Sequence, residues 1–216
     1  MSDLPDPFLL LFLVAFVGVL PFLMLMATSF VKLAVVFSLI RNALGVQQVP
    51  PNMVLYGMAT ILTLYIMAPV AVAGFQAVET LDMNNAEIGD IIDGLGVAAE
   101  PFRNFLQQHA EQTEIAFFMS AAGQLWPAEM RDSISPDNLL ILIPAFTVSE
   151  LTDAFQIGFL IYLPFIAIDL IISNILLAMG MMMVSPMTIS LPFKLLLFVM
   201  IDGWQELIHG LVLTYQ

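Results

Sequence analysis

The chain has 216 residues, of which 60% are hydrophobic and only 11% charged, with a mean hydropathy of +0.96; this excludes an ordinary soluble domain and places it in the membrane class. Its net charge of -13 excludes a phosphate-neutralising surface, so no nucleic-acid partner is expected, and it argues against a polybasic grip on anionic lipid. Cysteine is absent, which excludes disulfides, thiolate zinc sites, iron–sulfur clusters and cysteine nucleophiles.

The opening MSDLPDPF carries two acids and no Lys or Arg. A secretory signal wants a positive start before its apolar core, so a retained first membrane segment is expected instead. Residues 8–26 are uncharged and about long enough to cross a bilayer, which takes roughly 20 residues. Apolar character continues past Lys32 to Ile40, and RNALGVQQVPPN (41–52) then supplies a turn with Gly, Asn and a Pro-Pro pair. Residues 53–75 form the second apolar segment and complete a hairpin.

Between residues 76 and 138 the character changes. Eleven of the eighteen acids fall there, opposed only by Arg103 and Arg131. Apolar residues recur at helical spacing around Phe102, Phe105, Leu106, Ile115, Phe117, Phe118 and Leu125, which predicts a small helical unit bounded by Trp126-Pro127 and Ser135-Pro136. Residues 139–148 are apolar again, interrupted by Glu150 and Asp153. Residues 155–184 are the longest apolar run, ending in Met181, Met182 and Met183. After the turn at 184–192, residues 193–213 close a second hairpin. Every apolar segment holds a proline (Pro21, Pro69, Pro144, Pro164, Pro192), which bends helices and calls for packing that satisfies the freed carbonyls. The expected fold is therefore all-α and membrane-associated. Two bent hydrophobic hairpins (residues 1–75 and 139–216) flank a small acidic helical insert (76–138). Cations at the hairpin turns (Lys32, Arg41, Lys194) put those turns in the cytoplasm and the insert and termini outside.

Two stretches, MATSFVKLAVVFSLIRNALGVQQVPPN (26–52) and LIPAFTVSELTDAFQIGFLIYLPFIAIDLIISNILLAMGMMMVSPMTISLPFKLLLFVMIDGW (142–204), resemble the SctR/YscR family. These are core export-apparatus proteins of bacterial type III secretion, related to flagellar FliP. The resemblance covers both hairpins and not the insert. The MMMVSP at 181–186, where flagellar members tend to have MMMVPP, favours the virulence-type machine, as does the missing cleavable signal. The resemblance implies a homo-pentamer in the bacterial inner membrane. It would join SctS and SctT partners in an export gate through which unfolded substrates pass. It also implies that Met181, Met182 and Met183 form the pore gasket. Methionine suits the role, being flexible and apolar, and a hydrophobic constriction blocks ions by dewetting. Consecutive helical residues point about 100° apart, so the three can share a pore only if the backbone leaves the helix there, for which Gly180 and Ser185-Pro186 are suited.

Further candidates are charged or polar groups in apolar surroundings, where an unpaired charge is costly. Glu150 and Lys194 are expected to pair, between neighbouring subunits, against the simpler reading that each reaches water separately. Asp169 and Ser173, four apart, share a helix face and read as buried polar packing, with a proton relay as the other reading. Asp202, with Glu206 and His209, reads likewise as packing. Lys32 and Arg41 read as turn or partner contacts. Two histidines without metal-ligand spacing give no metal site, and neither a phosphate loop nor a nucleophile triad stands out. No cofactor and no enzymatic activity are expected. The competing function is a soft-metal or small-solute transporter using Met179, Met181, Met182, Met183 and Met187 as thioether ligands.

Overall fold

The computed structural model describes residues 24–46, 48–79, 88–131 and 134–216, together with positions 11, 14, 15, 18, 21 and 22. Most of the expected first span at 8–26 lies outside the described residues. Those described are helical wherever they are regular, in the order α1 (Phe30–Leu44), α2 (Asn52–Glu79), α3 (Ile88–His109), α4 (Gln112–Leu125), α5 (Ala128–Arg131), α6 (Leu139–Ala178), α7 (Pro186–Met200) and α8 (Gly203–Leu213). No strand occurs among the described residues, so the all-α fold expected from the sequence is the one found.

The long apolar run at the N-terminus does not continue as one helix. Residues 27–29 leave the helix, where the Thr28 hydroxyl donates to the Leu25 carbonyl at 3.0 Å, and α1 starts afresh at Phe30. This short helix is the centre of the molecule. Leu33, Val36, Phe37 and Ile40 are buried against Leu55 and Ala59 of α2, Ala154 and Phe165 of α6, Phe198 of α7, and Leu207 and Leu211 of α8. A second core joins the acidic insert to the same scaffold. Phe105 and Leu106 of α3 and Ile115 of α4 pack with Ile141, Leu142, Ala145 and Phe146 of α6.

The sequence suggested that Glu150 and Asp153 interrupt the second hairpin. Instead α6 runs unbroken through both, and through Pro144 and Pro164, for 40 residues. Lys32 stands against both carboxylates, so the helix can carry them inside an apolar run. The break falls later. α7 and α8 meet at 59° across residues 201–202, rather than forming one apolar arm.

α2 and α6 are each long and apolar enough to cross a membrane, and the bent pair α7–α8 adds a third if it counts as one span. Much of their apolar surface is not covered by the described residues. In α2 only Leu55, Ala59 and Thr63 are buried of 28 residues, so the remaining face must meet lipid or protein.

Candidate functional site

The three methionines occupy the turn between α6 and α7, outside either helix. The helix stops for a definable reason. Gly180 takes the left-handed conformation (φ +73°), the Met181 amide donates to the Leu176 carbonyl at 2.9 Å, and the Gly180 amide donates to the Leu177 carbonyl at 3.0 Å. These crossed bonds are a glycine-terminated helix cap, which satisfies the last carbonyls of α6. α7 then restarts with Ser185 at its N-cap and Pro186 in the first helical position, where a missing amide hydrogen costs nothing. The backbone between is fixed by hydrogen bonds while the side chains are not packed: Met181 is 41% exposed, Met182 81% and Met183 fully exposed.

Below the turn, a polar cluster ties the two arms together. Asp169 of α6 accepts from the Ser190 hydroxyl and from the Lys194 ammonium of α7, each at 2.6 Å. The same ammonium donates to the Ala43 carbonyl at 3.1 Å. That carbonyl belongs to the last turn of α1, where a cation is favoured by the helix dipole. Lys194 and Ser190 are buried, while the Asp169 side chain is 35% exposed.

A second cluster lies deeper. The Lys32 ammonium sits 2.8 Å from Glu150 and 3.1 Å from Asp153, and 4.7 Å over the Tyr215 ring. The Tyr215 hydroxyl donates to the other Glu150 oxygen. Both Lys32 and Glu150 are fully buried, so Glu150 depends on Lys32 as its counter-charge, while Lys32 has Asp153 as well. Next to Glu150, Ser149 accepts from the Glu111 amide at 2.8 Å, which fixes the loop between α3 and α4 onto α6. His109, the last residue of α3, lies 5.1 Å from the Tyr215 ring and 4.7 Å from Phe105. Burial first, and Lys32 second, push its imidazole below its ordinary pKa.

The structure thus gives Glu150 and Lys194 different partners inside the chain, Lys32 with Tyr215 for the one and Asp169 with the Ala43 carbonyl for the other. The pairing expected between them concerns neighbouring subunits, which a single chain does not display. Asp169 makes its polar contact across the hairpin, with Ser190 of α7, and Ser173 is half-buried on α6. Asp202, expected in a buried stripe, is exposed in the single chain at the α7–α8 bend. It holds a left-handed backbone, and its carbonyl accepts from Gln205 and Glu206. Glu206 and His209 are exposed too. Arg41 is a turn contact as expected, donating to Pro50 and Asn52. Lys32 is not: it belongs to the buried cluster. Sequence reasoning passed over Tyr215, Ser190 and Ser149 as well. A lone cation in an apolar run does signal a hidden anion, but nothing in the sequence says which of several acids answers it. Among the described residues no group of three or more His, Asp or Glu gathers as a metal site.

Comparison with known proteins adds a direct line. The FliP family model matches residues 13–211. The chain is 58% identical over 215 residues to Yop proteins translocation protein R of Yersinia pestis, covering 100% of this chain and 99% of that protein. It is 52% identical over 214 residues to virulence protein YscR of Salmonella typhimurium, covering 99% of each. To hypersensitivity response secretion protein HrcR of Ralstonia nicotianae it is 50% identical over 202 residues, covering 93% of each.

Proposed function

Because the chain belongs to the FliP family, we propose that it is a subunit of a bacterial type III secretion export apparatus whose methionine turn closes a protein-conducting pore. The family supplies structural parts of the export machine and not enzymes. The names of the similar proteins, concerned with translocation, virulence and secretion, support membership of a virulence-type machine in the inner membrane. The spanning-length helices α2 and α6 fit that location.

The observation that carries the pore reading is the turn at 179–185. Leaving the helix frees Met181, Met182 and Met183 from pointing about 100° apart. Their exposure leaves them available to meet the same residues of other copies. Five such turns around an axis would present a deformable apolar ring, closed to ions by dewetting and open to varied unfolded chains. In this reading the chain forms a homo-pentamer with SctS and SctT partners. Uncovered apolar faces of α2, α6 and α7 supply the subunit contacts, and the acidic insert faces the periplasm, opposite Arg41 at the α1–α2 turn.

The test is ion leak in cells holding the assembled partners, with Met181, Met182 and Met183 all replaced by alanine. Leak is expected to rise while the complex stays intact. An unchanged leak in an intact complex would sink the gasket reading.

A further inference from the structure

We propose that the Asp169–Ser190–Lys194 cluster is the positioning clamp of the methionine turn, fixing where the turn stands relative to the rest of the chain. This rests on the gate reading above for its consequence, though not for its geometry. Asp169 lies nine residues before the end of α6, and Lys194 eight residues after the start of α7. Both arms therefore leave the cluster with about 12 to 14 Å of helix before the turn, and their matched lengths make a two-helix finger.

That finger has almost no core of its own: Leu176 is the one apolar residue buried between 170 and 189. No residue from 170 to 189 joins either buried apolar cluster, and Ile171, Ile175, Leu177, Met187 and Ile189 are exposed. The apolar packing of the scaffold ends at Phe165 on one arm and resumes only at Leu197 and Phe198 on the other. Between these limits, the bonds to Asp169 are the polar cross-links between the arms. Lys194 carries the tie onward to the Ala43 carbonyl, so the finger is anchored to α1, the most buried helix of the molecule. A single carboxylate thus accepts one bond from each of two residues on the opposite arm, and one of those residues grips the scaffold. Without it, the finger keeps its helices and its glycine cap but loses its fixed angle to α1.

The chain has no cysteine, so Met182→Cys gives it a single site for a spin label, and the labelled chain is read in the complete complex with partner subunits made free of cysteine. In that background Asp169→Asn, which keeps an acceptor but removes the charge, is expected to raise label mobility and to give a several-fold rise in ion leak. Ser190→Ala should have a smaller effect in the same direction, and Asp169→Glu should return both readings towards the parent. Unchanged mobility and leak in an assembled Asp169→Asn complex would overturn the clamp. Loss of the assembled complex in both Asp169→Asn and Ser190→Ala would overturn it too, because the cluster would then serve assembly and not position. The gasket reading fails separately: its sign is an unchanged leak in the triple-alanine chain, whereas label mobility at residue 182 reports the clamp whatever the turn does.

Discussion

Lys32 and Glu150 are the residues on which the interior is most exposed to failure. Replacing Lys32 by methionine leaves a fully buried carboxylate without a counter-charge, a loss of about 3–5 kcal/mol. Tyr215→Phe removes a hydrogen bond to the same carboxylate and is expected to cost about 1.5–3 kcal/mol. Thermal unfolding of the purified complex should rank the two in that order. His109 adds a pH dependence with a definite sign. Burial and Lys32 hold its folded pKa below the ordinary 6.5, so the unfolded chain takes up the proton first. Stability is therefore unaffected well above pH 6.5, falls as the pH drops through 6.5, and levels off once the folded value is passed. His109→Gln should flatten the midpoint over that window relative to the parent; an identical slope in both would mean that other groups govern it. That a charge in apolar sequence needs a partner was legible for Glu150, whereas Lys32 read as a turn or partner contact. The choice of Glu150 by Lys32 over the other acids was not legible, because the choice is made by helices meeting from opposite ends of the chain.

At the scale of elements, the stop between α6 and α7 was readable and the length of α6 was not. Gly180 and Ser185-Pro186 are local signals, and the backbone obeys them. The passage of α6 through Glu150 and Asp153 depends on Lys32, which no window around residue 150 contains. The same distinction sorts the expected effects of substitution. Gly180→Ala puts a side chain in the left-handed region, where open space around it gives no relief, and should cost about 1–2 kcal/mol. Asn138→Ala removes the side-chain bond to the Leu140 amide at the start of α6, worth about 0.5–2 kcal/mol, and Asn138→Asp should restore it. Gly158 is where α1 and α6 approach closely: a Cβ there would stand 2.2 Å from the tip of Leu39 and 3.3 Å from its base. The tip can swing aside for alanine; valine cannot be accommodated that way and is expected to cost about 1–3 kcal/mol. Melting curves of these single variants check each value.

The whole molecule is a scaffold whose interior is finished and whose exterior is not. At 40 residues α6 is about 60 Å long, roughly twice the thickness of a bilayer core. Its outer face exposes Phe155, Phe159, Leu160 and Leu163, which nothing among the described residues covers. A folded unit of this kind should stay in solution only with detergent or partners, and native mass measurement should find it in a large hetero-complex. The acidic insert, which reads in sequence as a separate unit, shares a core with α6 through Phe105, Leu106 and Ile115, so it is built into the same body. The exposed turn has a chemical consequence too. A thioether takes one oxygen atom from a peroxide, which leaves as water, and becomes a polar sulfoxide that dedicated reductases can reverse. With Met183 fully exposed, Met182 nearly so and no cysteine in the chain to react first, oxidative damage should reach this turn among the exposed methionines, turning a water-shy surface into one that wets.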